Sequence, residues 1–242
     1  MTGGRLHGVV ALDGPSGTGK STVAKRLARL LEARYLDTGA MYRAVTLAVL
    51  RARVALEDAE AIGAVATSVA LAIEIDPSAP AVRLDGEDVG AEIRGATVTG
   101  AVSAVAKVAA VRSVLVGQQQ RIVAEVLAAD GGIVVEGRDI GTVVAPDAGL
   151  KVYLTASPEA RAHRRSRQDA AAGRHSTVDE TRLAVDRRDS LDTRTTPLRP
   201  AGDAVELDST NLDVNGVLTA LVSMVDDRGM RSRQSGERAT VR

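Results

Sequence analysis

Apolar residues recur in this chain with two periods. Val9, Val10, Ala11 and Leu12 form a continuous run. From Lys20 onward Val23, Leu27, Leu30 and Leu31 return at helical spacing, so a buried strand, a glycine-rich loop and a helix are predicted in that order. Arg34 to Asp37 predicts a second short strand. Thr38-Gly39 turns it into a helix carrying Met41, Val45, Leu47, Ala48 and Leu50, with Asp37 or Thr38 as its N-cap. Residues 57–70 are alanine-rich and helical in pattern. Between Leu71 and Val89 the period drops to two on either side of a Pro77–Pro80 turn, which predicts a hairpin inserted into a β-α alternation. Residues 97–129 return to helix in two pieces dividing near Val108. Further strands are predicted at Ile133–Glu136, Lys151–Leu154 and Ala204–Leu207, with a helix opening at Ser157-Pro158 and a last one over 213–225. Residues 229–242 are polar and aperiodic and are predicted to be disordered.

Short strands alternating with helices imply a mostly parallel sheet covered on both faces, and such sheets bind ligands at the carboxyl ends of their strands. Here those ends are Asp13-Gly14, Asp37 to Gly39, Glu136 to Asp139 and Thr155 to Ser157. The first carries chemistry of its own. Gly14, Gly19, Lys20 and Ser21 fit the spacing of a phosphate-binding P-loop, so residues Gly14, Pro15, Ser16, Gly17, Thr18, Gly19, Lys20, Ser21 and Thr22 are the predicted ATP-binding segment. Glycines let successive N–H groups face one hollow, and the positive end of the next helix adds to it. Lys20 would reach the β- and γ-phosphates, and Ser21 would hold Mg²⁺.

Composition narrows the picture. The 31 basic residues balance 31 acidic ones, and with no Phe or Trp and three Tyr there are few platforms for stacking bases, which argues against a nucleic-acid binder or motor. The absence of Cys excludes disulfides, thiolate metal sites and cysteine nucleophiles. No apolar run reaches the roughly 18 residues of a membrane span, and the first residues lack the apolar core of a signal peptide. A soluble, cytoplasmic, monomeric protein without a membrane partner is expected.

Phosphoryl transfer needs aligned phosphates and neutralised charge, so the placement of arginines matters most. Arg43 follows the strand end at Asp37, and Arg138 stands at the strand end after Glu136. Arg161, Arg164, Arg165, Arg167 and Arg174 crowd one segment, which is either a solvated helix face or a phosphate-neutralising cluster. His7, His163 and His175 are scattered, and transfer to a phosphate acceptor needs no strong base. Two rival readings are a P-loop kinase of another nucleotide or small molecule, and a GTP-operated switch. The second usually reads guanine through Asn-Lys-x-Asp, whereas Asn211 and Asn215 are each followed by a residue other than Lys.

The P-loop, the run from Leu36 to Arg43, the segment Leu84–Val89 with Glu92 to Arg94, the run from Glu136 to Val144, the arginines of 161–165, and Arg188-Asp189 together resemble the bacterial cytidylate kinases in order and spacing. The resemblance runs from about Gly8 to Val225. It implies a P-loop nucleoside monophosphate kinase fold of the α/β class: a parallel five-stranded sheet flanked by helices (5–63, 97–159 and 185–228), an inserted antiparallel CMP-binding subdomain (64–96) and a helical lid (160–184). It also implies transfer of the γ-phosphoryl group of ATP, with Mg²⁺, to CMP and dCMP. Thr38, Arg43 and Arg138 would hold the CMP phosphate, Ser103, Arg112 and Asp139 would read cytosine, and Arg188 and Asp192 would hold the ribose. Lys20, Arg138, Arg164 and Arg165 would be catalytic, with Arg161 on ATP and Arg194 toward the phosphates. Taken alone, Ser103 reads equally as a helix hydroxyl bonded to its own backbone.

One stretch departs from the family pattern. Asp192-Thr193-Arg194 brings the arginine one place nearer the aspartate, and Pro197-Leu198 arrives two places early. Losing one residue removes roughly 3.3–3.6 Å of extended chain, which re-aims a side chain. Asp192→Ala is therefore expected to raise KM for CMP strongly, and Arg194→Ala to have a smaller effect, in steady-state assays that separate kcat from KM. A hundredfold or larger loss of kcat in Arg194→Ala, about 2.7 kcal/mol, would instead place Arg194 on the moving phosphate.

Overall fold

The computed structural model describes residues 4–171 and 199–232. Its strands are β1 (Gly8–Asp13), β2 (Arg34–Asp37), β3 (Leu71–Ile73), β4 (Val82–Leu84), β5 (Glu87–Asp88), β6 (Gly132–Glu136), β7 (Leu150–Thr155) and β8 (Val205–Asp208). Its helices are α1 (Lys20–Leu30), α2 (Thr38–Arg51), α3 (Ala59–Ser68), α4 (Ala96–Ala106), α5 (Ala109–Ala128), α6 (Pro158–Ala171) and α7 (Val214–Asp227).

Five strands form a parallel sheet in the order β2-β6-β1-β7-β8. Successive residues of β1 face opposite sides, and both sides are apolar because both are covered. Val10 and Leu12 enter a core with Leu27 of α1 and Leu221 of α7, while Val9 and Ala11 enter a second core with Met41 of α2, Ile62 of α3 and Leu115 of α5. A third cluster joins Ala44 and Leu47 of α2 to Val82, Leu84 and Ile93. The central position of β1 puts the loop after it between strands whose connections leave in different directions, where open α/β sheets bind ligands.

The predicted hairpin is a three-stranded antiparallel sheet, β3-β4-β5. Its second half divides because Leu84 pairs with Glu87 across Asp85 and Gly86, both at positive φ, which is the two-residue turn that Asp-Gly favours. The helix α3 straddles the boundary expected between 63 and 64. The break between α4 and α5 falls at Lys107-Val108 as predicted, with a 98° bend. Among the described residues no single helix is long and apolar enough to cross a membrane. Of the expected lid, α6 is described, and 172–184 lie outside the described residues, as do Arg188, Asp192 and Arg194.

The first residues of the segment expected to be disordered, 229–232, are instead tied to the N-terminal segment. His7 N donates to Met230 O at 2.8 Å, Leu6 and Arg231 form an antiparallel bridge, and Ser232 N donates to Arg5 O. Met230 is buried because its side chain fills the space over Gly149, where a Cβ would lie 2.9 Å from the Met230 methyl carbon. Residues 233–242 lie outside the described residues.

Gly132 opens β6 against the segment ahead of β1, where a Cβ would stand 2.4 Å from the Leu6 carbonyl oxygen. Gly132→Ala must displace backbone and is expected to cost about 1–3 kcal/mol, the usual range for overpacking. Gly202→Ala meets nothing within 4 Å and is expected to melt with the wild type. Thermal melts of the two variants check the contrast.

Candidate active site

The loop between β1 and α1 has the backbone its glycines require. Gly14 has φ +145° and lies so close to β7 that a Cβ would sit 2.2 Å from the Leu154 carbonyl oxygen, and Gly19 has φ +95° at the N-cap of α1. Whereas Asp37, Asp58 and Asp213 cap α2, α3 and α7 with their side chains, α1 has no side-chain cap and no acid in its first turn. Its first N–H groups and positive end therefore remain available to an anion.

The loop opens into a cavity of about 950 Å³. Lys20 Nζ donates to Gly14 O and Pro15 O, both at 2.7 Å, and Arg138 donates to the same Gly14 O at 3.1 Å. Two of the predicted catalytic cations thus meet at one carbonyl. Arg164 donates to Thr18 O, Ser209 Oγ, Ser209 O and Leu212 O, which ties α6 to the P-loop and to the loop after β8. Arg161 is buried against Gly17 and donates to Ser16 O at 3.3 Å. Arg165, Ser16, Thr18, Ser21 and Thr22 line the cavity, Thr18 largely buried with its hydroxyl on Pro15 O.

The other half of the cavity gathers the residues predicted to hold the acceptor. Thr38 Oγ1 donates to Glu136 O at 2.8 Å. Arg43, buried in α2, donates to Ile93 O and Thr99 Oγ1, both at 2.9 Å, and so joins α2 to the inserted segment and α4. Arg112 of α5 pairs with Asp139 at 2.5 Å, and Ser103 of α4 lines the same wall. Arg94, outside the predicted site, reaches Asp37 at 3.4 Å across this mouth. The Tyr42 hydroxyl beside them is buried with no hydrogen-bond partner among the described residues.

Two carboxylates not assigned a role from the sequence lie beneath the P-loop. In the parallel register Leu12 stands opposite Glu136, so the acid ends of β1 and β6 are neighbours. Asp13 accepts Ile140 N and Gly141 N, both at 2.8 Å, and shapes the π-helical turn Ile140–Val144. Glu136, 3% exposed, accepts from Ser21 Oγ at 2.9 Å and, on its other oxygen, from the Tyr35 hydroxyl. Burial, and then the Asp37 charge, push the Glu136 carboxyl up to about 7 against the lowering pull of Tyr35, Lys20 and Ser21. Burial also raises Asp13. The available signal for both residues is an acid closing an apolar strand, Val9–Leu12 or Ile133–Val135; nothing comparable marks Ser209.

The cytidylate kinase family model matches residues 10–227. A cytidylate kinase of Rhodococcus opacus is 54% identical over 222 residues, covering 91% of this chain and 95% of the relative. One of Mycolicibacterium paratuberculosis is 52% identical over 227 residues, covering 93% and 98%. Among solved structures, an uncharacterized protein from Eubacterium ventriosum superposes with a TM-score of 0.50 at 11% identity, over 91% of this chain and 99% of that one, a likeness of fold alone.

A carboxyl raised from 4.5 to about 7 binds more protons in the folded than in the unfolded protein. Its contribution favours the fold below the unfolded value and is lost as pH climbs through the folded one. The nucleotide-free, metal-free protein is therefore expected to lose melting temperature between about pH 5 and about pH 8. Glu136→Gln keeps the shape, removes that titration and should flatten the loss. Parallel calorimetric profiles for the two proteins would mean that Glu136 does not titrate in this window.

Proposed function

The chain belongs to the cytidylate kinase family, and from the way its cavity is built we propose a division of labour among its residues. The reaction is transfer of the γ-phosphoryl group of ATP to CMP, giving ADP and CDP. The rival readings, a kinase of another acceptor class or a GTP-operated switch, fall with that match. Acceptance of dCMP is part of the proposal, as are a cytoplasmic location, a monomer and the absence of a nucleic-acid partner; the lack of Cys supports the location and the balanced charge the last of these.

The observation that carries the assignment is the meeting of Lys20 and Arg138 at Gly14 O, at the open end of α1 and in the same cavity as the Arg112–Asp139 pair. The 14–22 loop takes the ATP phosphates on the backbone N–H groups of its residues other than Pro15, with Arg161 bracing the loop. Lys20 and Arg138 neutralise the charge on the group in transit, where a preorganised cation acts most strongly. Arg165 faces the same space. Arg164, already bound to three carbonyl oxygens, seats the nucleotide side of the cavity by holding α6 against the P-loop.

Thr38, Arg43 and Arg138 take the CMP phosphate, and Arg188, Asp192 and Arg194 remain assigned to the ribose and phosphates by the resemblance. Asp139 accepts from the exocyclic amine of cytosine while Arg112 and Ser103 face its acceptors. A base with a carbonyl in place of that amine sets an acceptor against the Asp139 oxygen not bound to Arg112, at a cost of about 1–3 kcal/mol.

Mg²⁺ fits the donors present. Ser21 Oγ and the Glu136 carboxylate are hard oxygen ligands, and among the described residues no group of three or more His, Cys, Asp or Glu gathers to cage a metal alone. An ion shared with nucleotide phosphates suits such a set. When bound with ATP it supplies neutralisation of phosphate charge.

A coupled ADP-release assay over CMP, dCMP, UMP, AMP and GMP tests this reading. CMP and dCMP are the expected acceptors, with UMP weaker. Lys20→Ala is expected to lower kcat by about three orders of magnitude or more in a folded protein, the scale of losing an electrostatic stabiliser of the transition state. Near-normal turnover by that variant would remove the P-loop lysine from the mechanism.

A further inference from the structure

Tyr35 belongs to β2, is 2% exposed, and points its hydroxyl at one oxygen of Glu136. Its ring is packed in the core between the sheet and α1, where a phenylalanine would fill the same space. The hydroxyl is therefore unnecessary for packing. It is buried, and its partner is one half of a carboxylate whose other half accepts from Ser21 Oγ.

We propose that Tyr35 is a positioning residue for the metal side of the site: by donating to Glu136 Oε1 it fixes the plane of the carboxylate, so that Oε2 receives the Ser21 proton and the lone pairs of Ser21 Oγ are left for the cation. The inference rests on the reading of Ser21 and Glu136 as the metal side of the P-loop. Each member constrains the next. A carboxylate can turn about its last torsion, which is broad for Glu, and one donor on each oxygen stops that rotation. A serine hydroxyl rotates to suit its acceptor, and with its proton committed to Glu136 it can only accept from the other side. The Tyr35 main chain is anchored as well: its N–H donates to Ile75 O at 2.9 Å, beyond the end of β3, and Lys25 Nζ lies 5.9 Å from the ring centroid. The inserted sheet thus adjoins the strand that sets the carboxylate.

The test uses the full chain as wild type, Tyr35→Phe, Glu136→Gln and the double variant. For each, calorimetry gives the affinity for ATP in EDTA and in MgCl₂, and the ratio is the gain contributed by magnesium. Steady-state assays give kcat and KM for CMP. If Tyr35 acts through Glu136, Tyr35→Phe should lower the magnesium gain by about tenfold, about 1.4 kcal/mol. ATP affinity in EDTA and KM for CMP should not change. The double variant should behave as Glu136→Gln alone, because the coupling partner is already gone.

A merely structural tyrosine would shift both ATP affinities alike, and losses adding in the double variant would overturn the proposal. An unchanged magnesium gain in Glu136→Gln would overturn the underlying reading of the metal side; an unchanged gain in Tyr35→Phe alone would overturn only the role of Tyr35. Should Tyr35→Phe fail to fold, the wild type labelled with 3-fluorotyrosine has only three resonances, since the chain has three tyrosines. With Tyr42→Phe and Tyr153→Phe to assign them, the Tyr35 resonance is expected to shift when MgCl₂ is added to the ATP complex. A Tyr35 resonance that stays in place would overturn the proposal.

Discussion

The register of β1 against β6 is the constraint on which the site depends. With Leu12 opposite Glu136, the two central strands end together, and each closes on an acid. Asp13 then holds the turn that follows β6 through two backbone N–H groups, while Glu136 holds the first turn of α1 through Ser21. Each strand so organises the loop of the other. A one-residue slip would turn every side chain of β6 to the opposite face, exchanging Ile133 and Val135 with Val134 between two packed cores, so packing fixes the register that the polar groups require.

Burying two carboxylates beneath an anion-binding loop is unfavourable in isolation, and burial raises both acids. The unfavourable term is offset by donors placed on their oxygens and by Lys20, whose charge lowers both. Lys20 in turn lies on the carbonyls of Gly14 and Pro15, one of which also receives Arg138. The cations are therefore held close together at the mouth of α1 before any phosphate arrives, which is the preorganisation that electrostatic catalysis requires.

The inserted sheet is attached to the core at several points rather than hung from one hinge. Tyr35 N–H meets Ile75 O, Arg29 Nε reaches Pro77 O at 2.9 Å, and Arg43 joins Ile93 O. Arg51 reaches both Glu87 and Glu92, an exposed pairing worth little energy alone but consistent with a fixed orientation. Together with the apolar cluster linking α2 to Val82, Leu84 and Ile93, these contacts carry one wall of the cavity into contact with the strand that holds Glu136.

The chain by itself determined the strand-loop-helix of the P-loop, the short buried strands, the Ser157 cap, a cap at Asp37 or Thr38 that the fold resolves to Asp37, and the break near Val108. These are local: a period of two or 3.6, a capping side chain, or glycines where φ must be positive can each be read within a dozen residues. The grouping of Ser103, Arg112 and Asp139 was reached only through resemblance to a family, because they come from α4, α5 and the loop after β6, and no spacing along the chain records that these elements converge. Taken by its residues alone Arg164 was one charge in a crowded segment, given a catalytic role only by the resemblance, and its carbonyl partners in the loop after β8 became visible with the fold. The hydrogen bond between Tyr35 and Glu136 belongs wholly to tertiary structure. A tyrosine and a glutamate 101 positions apart carry no local signature, and only the pairing of β2 with β6 brings the phenol to the carboxylate, where burial makes a single hydrogen bond decisive.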